Sequence, residues 1–380
     1  MRYNFLAIVM SISFIVIILH IALNCMDISL VDSINAALPI NNGQNKFIFK
    51  AWDIKYNPSN GNIYVVNTFS GNISVIDNSS NTVKATIPVG DGPQDLKYNP
   101  SNGNMYVANT RSNSVSVIDS SSNTVKATIP VGDGPVSLGY NPSNGNMYVA
   151  NTRSNSVSVI DSSSNTVKAT IDVNFPWRLK YNPSNGDMYA AQPLLGMVSV
   201  IDSSSNTVKA TIPVGKDGTP EELEYNPSNG DMYVAITDRG NISVIDSSSN
   251  TVKATIPVGF EPSSLEYVPS NGNIYVANTR SNSVSVIDSS SNTVKATIDV
   301  GNSPKDLKYN PSNNNMYMVN GNNISVIDSS SNTVKATIPV DDGPQDKYNP
   351  SNGNTHRTNE FSDSASVITK AASNMDAIKF

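Results

Sequence analysis

Chemistry needs side chains that carry a proton, an electron pair or a metal, held at a fixed spacing. The most regular such set here is seven aspartates, Asp77, Asp119, Asp161, Asp202, Asp246, Asp288 and Asp328, each closing a V-I-D triplet and recurring about every 42 residues. A ring of carboxylates could bind a cation. Each, however, stands directly before a Ser/Asn-rich turn (DSSSN, or DNSSN at Asp77), where aspartate accepts the turn's own backbone N–H groups. We read the series as turn-building. Histidine occurs only at His20 and His356, which leaves no pair for a zinc site or a catalytic triad. There is no C-x-x-C-H haem attachment and no phosphate-cradling G-x-x-x-x-G-K-S/T loop. Cys25 stands alone, so no intrachain disulfide forms. On these grounds no catalytic residue, no metal ligand and no cofactor is assigned, and the expectation is that the protein is not an enzyme.

The elements that position these residues are repeats. Y-N-P-S-N-G begins at Tyr56, Tyr98, Tyr140, Tyr181 and Tyr225, returns as YVPSNG at Tyr267 and YNPSNN at Tyr309, and is intact at Tyr348. A fixed period of this length is read before any local feature. Within one unit, DLKY (95–98), MYVAN (105–109), VSVID (115–119) and TVKATIPV (124–131) are rich in Val, Ile, Tyr and Thr, as strands are. Pro, Gly, Asn and Asp separate them. Four short antiparallel strands per unit make a propeller blade. The fold class expected is all-β: a seven-bladed β-propeller of four-stranded antiparallel blades over residues 51–340. Residues 341–380 then form a degenerate eighth repeat, read as losing its tyrosine strand but keeping SVI (366–368), and serving as a tail or a ring-closing strand. An eighth blade completed by FIFK (47–50) is the alternative.

Comparing the units separates two faces. NPSNGN and DSSSNT, the first and third turns, emerge together and barely change. The second turns (NTFSGN, NTRSNS, AQPLLGM, ITDRGN, NGNN) and the links between units (VGDGPQD, VNFPWR, VGKDGTPEE, VGFEPSS) emerge on the other face and vary. Recognition is expected there. Two sets stand out on it. Phe175 and Trp177 enter the fourth unit, whose second turn carries Leu194 and Leu195, and Trp52 holds the same unit position as Trp177. Such side chains anchor a partner or pack on one another. Asp53, Asp95, Arg178, Glu222 and Asp306 share one place near the start of the first strand. They ring the channel mouth, hydrated or holding a polar ligand or cation. Oxygen ligands suit calcium, yet no loop carries a calcium motif. The lysines of V-K-A-T-I fall on the outer strand, where edge lysines discourage aggregation.

The repeats resemble the YVTN family of β-propellers in YVVN (64–67), YVAN (106–109, 148–151, 275–278) and YMVN (317–320), with N-x-x-S-V-I-D and T-V-K-A-T-I-P-V-G beside them. The likeness departs at YAAQ (189–192) and YVAI (233–236) and decays after Tyr348. That family includes archaeal surface-layer-type proteins and bacterial exported propellers, so the resemblance implies a seven-bladed ring in an extracellular or envelope setting. It implies no activity, because function lives in sites and not in folds.

FLAIVMSISFIVIILHIAL (5–23) is apolar, follows Arg2, and precedes Asp27 and Asp32, with no Lys or Arg until Lys46. That bias orients the rest of the chain outward. Residues 1–37 are read as a signal peptide or signal anchor, residues 38–50 as a linker or closing strand. N-x-S/T sequons at Asn72, Asn78, Asn241 and Asn323 fit an outside location. Net charge is −6 with 15% charged residues, and no basic stripe invites nucleic acid. The function expected is a non-enzymatic, exported cell-surface or envelope scaffold. Its partner would be a protein or glycan at the cell surface, with membrane contact only through an uncleaved N-terminal segment. The rival reading is a ligand- or metal-binding propeller, or an enzyme, using the channel mouth.

Overall fold

The computed structural model describes residues 51–77, 82–215, 218–311, 313–321 and 323–339. It adds the backbone course of four strands, Pro344–Asn349, Asn354–Asn359, Ala365–Ile368 and Ile378–Lys379. The apolar run 5–23, the cleavage region, Cys25, His20, FIFK and Asn78 lie outside the described residues. Among the described residues no helix is long and apolar enough to cross a membrane.

Blade 1 shows the plan: β1 (Ala51–Tyr56), β2 (Ile63–Asn67), β3 (Asn72–Asp77) and β4 (Thr82–Pro88), paired in chain order and antiparallel throughout. Six more blades repeat it, ending at Pro130, Asp172, Pro213, Pro257, Asp299 and Pro339. The seven four-stranded blades expected are therefore present. The MYVAN strands are apolar along their whole length because both faces are buried. In blade 2, Met105 and Val107 pack back onto Tyr64 and Val66 of blade 1, while Tyr106 and Ala108 pack forward onto Leu138 and Met147 of blade 3. The core is thus a set of layers between blades. The outermost strand touches only one neighbour within its own blade and alternates accordingly: in blade 2, Thr124, Lys126 and Thr128 are exposed, with Val125 and Ala127 half-buried.

The constant turns hold blade to blade. Asn60 Nδ2 donates to Ser120 O at 2.7 Å and Tyr64 Oη to Asn123 Oδ1 at 2.9 Å. The pairs Asn102–Ser162 and Tyr106–Asn165 do the same one seam on. Equivalent bonds continue as far as Tyr275 and Asn332. Within the third turn, Asp119 Oδ1 accepts from Ser121 N at 2.9 Å, Ser122 N at 3.1 Å and Ser121 Oγ at 2.6 Å. The V-I-D aspartates from Asp119 to Asp328 are turn-builders, as their place before the serines implies.

The degenerate repeat does more than trail off. Its four strands form an eighth sheet in chain order, and its innermost strand runs beside the innermost strands of both blade 7 and blade 1, closing the ring. The tyrosine strand read as lost is present as Asn354–Asn359, with His356 opposite Lys347 where Tyr106 stands opposite Lys97. The sheet's outermost strand is Ile378–Lys379. One residue fewer in the innermost strand removes the bulge seen between Pro93 and Asp95, so Asp346 faces Arg357 where Leu96 faces Val107.

Candidate functional site

The innermost strand of each blade is an edge, and its N–H groups need partners that no further strand supplies. Asp53 and Asp95 of the channel-mouth set provide two of them. Asp53, Asp95, Arg178, Glu222 and Asp306 do share one register position, joined there by Ser137 and Ser264 in blades 3 and 6. Leu96 N donates to Asp53 Oδ2 at 3.2 Å and Leu138 N to Asp95 Oδ2 at 2.6 Å. Ser137 Oγ accepts from Leu179 N and Ser264 Oγ from Leu307 N, both at 3.4 Å. Each side chain reaches forward to the next blade. Arg178 instead lies 3.5 Å from Glu222 and stacks over the Trp177 ring at 5.5 Å. Asp306 accepts from Ser264 Oγ at 3.1 Å. Burial, and then the Asp53 charge, push the Asp95 carboxyl above the usual carboxylate range.

Two residues further along the same strands, blades 4 to 7 place Lys180, Glu224, Glu266 and Lys308. Lys180 Nζ meets Glu224 Oε2 at 2.5 Å and Lys308 Nζ meets Glu266 Oε2 at 2.7 Å. Burial raises Glu224 against the opposing pull of Lys180, and the Glu266 charge raises it further. Desolvation lowers Lys180, but Glu224's charge and hydrogen bond outweigh it and hold the amine above its usual value. Sequence reading missed this quartet, although Lys-Tyr against Glu-Tyr in the aligned units was a visible signal. Among the described residues no group of three His, Cys, Asp or Glu is placed to hold a metal ion.

The variable face is organised by a pairing between each link and the second turn of the blade it enters. Thr110 N donates to Gly92 O at 2.9 Å and Arg111 N to Asp91 O at 3.1 Å. Gly92 has φ +63°, and a Cβ there would fall 2.8 Å from Arg111 Cγ; Gly134 against Arg153 is the same. Blade 4 replaces both members. Phe175 takes the link position, at φ 48°, and Leu194 takes the turn position inside a single 3-10 turn, Pro193–Leu195. A bulky residue in the left-handed region is strained by about 1 kcal/mol. Gln192 ties the two segments, donating from Nε2 to Asn174 O at 2.7 Å. Blade 6 makes the pair ionic, Glu261 with Arg280 at 2.8 Å.

Trp177 packs half-buried against the core cluster that includes Val136 and Leu179. Trp52 lies in β1, its side chain outside the described set. Phe175, Leu194 and Leu195 stay exposed, at 37%, 46% and 41%. Phe69 in the second turn of blade 1 and Phe260 in the link to blade 6 are more exposed still, at 56% and 71%. Both were missed, though each is an apolar residue in a varying loop. Val83, on β4, is the one other large apolar side chain so exposed among the described residues.

A family model for YNCE-like β-propellers matches residues 102–345. No curated protein matches the chain by sequence. Among solved structures, the chain resembles a hydrazine synthase chain from Kuenenia stuttgartiensis at 18% identity and TM-score 0.60, over 80% of this chain and 99% of that one. It also resembles dihydro-heme d1 dehydrogenase NirN, solved in complex with DHE, at 13% identity and TM-score 0.71, over 91% of this chain and 76% of that one. These likenesses show the shared fold. They also overturn the expectation that the protein is not an enzyme: chains of enzymes carry this architecture, so a propeller with few histidines is no ground for excluding catalysis. Matched over most of its length by that family model, the chain belongs to the YNCE-like β-propeller family.

Proposed function

We propose that this propeller is exported, works at the cell surface or in the envelope, and binds a protein partner through its variable face. One observation carries the reading: among the described residues, every strongly exposed large apolar side chain except Val83 lies in a second turn or a link, and none lies in the constant turns. Constant turns are committed to stapling blades. The variable turns are free to differ, and blade 4 keeps a strained phenylalanine at the surface. Strain held at an exposed position points to use. Phenyl and leucyl side chains in the hydroxyl-free segments NFPW and PLLG suit apolar protein side chains better than sugar hydroxyls.

The export half of the proposal rests on the apolar run 5–23 with its charge bias and on the YVTN-type repeats, which resemble exported and surface-layer propellers. The channel-mouth reading has less support, because Asp53, Asp95, Ser137 and Ser264 are engaged with the next blade's amides, Glu222 with Arg178 and Asp306 with the Ser264 hydroxyl. The test is partner capture from intact cells by the full chain and by the Phe175→Ser/Leu194→Ser/Leu195→Ser variant. Loss of a specific partner at unchanged melting temperature supports the proposal. Undiminished capture removes blade 4 from it.

A further inference from the structure

Where blade 1 meets blade 2, a cleft of ≈ 430 Å³ opens on the rim. One wall is the Pro-Val-Gly stretch at 88–90 that leaves blade 1. The other carries the hydroxyls of Ser112, Ser114, Ser116 and Thr128 around Val125. No ionisable side chain lines it. The two walls are held tightly together: a Cβ on Gly90 would fall 2.3 Å from Ser112 Oγ. Asn109 Nδ2 bonds Ser114 Oγ at 3.2 Å and Ser116 Oγ at 2.9 Å. Its own Oδ1 is buried behind them without a hydrogen bond.

The same parts recur at two other seams. The 21-residue stretch NTRSNSVSVIDSSSNTVKATI occurs identically from Asn109, Asn151 and Asn278, and each copy follows a Pro-Val-Gly, at 88–90, 130–132 and 257–259. No other blade has both. The asparagine–serine bonds repeat with the residues. Asn151 bonds Ser156 and Ser158 at 3.2 and 2.9 Å, and Asn278 bonds Ser283 and Ser285 at the same distances. The Oδ1 atoms of Asn151 and Asn278 are again buried and unbonded. A Cβ on Gly132 would fall 2.3 Å from Ser154 Oγ, and one on Gly259 would fall 2.8 Å from Ser281 Cβ; at this third seam the Ser281 hydroxyl accepts from Phe260 N at 2.7 Å.

We propose that these three seams are equivalent binding clefts for a neutral sugar unit. A charged ligand would be desolvated there with no opposite charge to meet it, and a wholly apolar one would cover the exposed Thr128 hydroxyl and the remaining bonding capacity of the serines without replacing their water. A pyranose ring offers what both walls need, hydroxyls for the serines and threonine and C–H faces for proline and valine. The volume lies within the range of small-molecule sites. An open cleft of this kind binds one unit weakly. Three copies on one rigid disc hold a polymer of that unit by multivalency. The site is separate from the blade 4 surface, so either proposal can fail without the other.

The test is isothermal titration of the full chain with glucose, N-acetylglucosamine and glucuronate. Saturable binding of a neutral sugar at three sites per chain, with none for glucuronate, is expected. A soluble oligomer of the bound sugar gains at least about tenfold in affinity. Thr128 is exposed on its strand, so Thr128→Trp fills one cleft without entering the core, and the stoichiometry drops to two. The triple variant Thr128→Trp/Thr170→Trp/Thr297→Trp, with melting temperature retained, binds none. Absence of neutral-sugar binding, a single site per chain, preference for glucuronate, or undiminished binding by the triple variant overturns the proposal.

Discussion

Asp161 accepts two backbone amides and the Ser163 hydroxyl in a turn that water reaches. Those bonds, the Ser163 hydroxyl first, hold its carboxyl down at about 2 from an ordinary 3.8, and Asp119 and Asp246 sit at about the same value. A carboxylate whose folded value lies below its unfolded one contributes stability above the unfolded value and loses it as pH falls through both. Thermal stability should therefore fall as the pH drops from about 4 to about 2. An Asp119→Asn/Asp161→Asn/Asp246→Asn variant should lose stability at pH 7 and show a shallower acid slope; a wild-type slope would contradict this. The role of these aspartates was legible because its partners lie two and three residues on. Phe175 makes the complementary prediction. Phe175→Gly removes the left-handed strain and should leave stability unchanged or raise it by up to about 1 kcal/mol in denaturant titration. A clear loss would mean that the ring packs rather than presents.

At the scale of the element, the second strand of each blade does two jobs. Tyr148 is fully buried between blades, and its hydroxyl reaches Asn206 at 3.2 Å in the next one. Tyr148→Phe should cost about 1 kcal/mol by losing that bond, and Tyr148→Ala about 3–5 kcal/mol through the cavity. Urea unfolding followed by tyrosine fluorescence would separate the two. Equal costs would show that the hydroxyl carries the effect. The strand itself was legible from its alternation with turns. The staple was not, because its partners stand 58 residues apart on different blades and nothing local marks them. The same holds for the channel mouth. Asp95 looked like a candidate ligand in the sequence, while its amide partner, Leu138 N, is 43 residues away. Phe69 and Phe260 could have been picked out, but attention to clustered aromatics passed over single ones.

For the whole molecule, the period of about 42 residues fixed the architecture, and the decayed repeat was the hard part. The missing MYV strand read as decay, yet the four strands pair in register as an eighth sheet between blade 7 and blade 1. Deleting residues 344–380 exposes the innermost edges of both neighbours, so the melting temperature should fall by several degrees; an unchanged value would mean that blades 1 and 7 close the ring without it. The division into a stapling face and a varying face is the claim on which the functional reading depends. Its most direct measurement is site-specific photocrosslinking on intact cells, with the crosslinker placed singly at positions 69, 175, 194 and 260 and, on the other face, at positions 122, 164 and 291. The account predicts a discrete protein adduct from the first set, strongest at 175 and 194, and none from the second. Adducts of equal yield from both sets, or from the second alone, would contradict it.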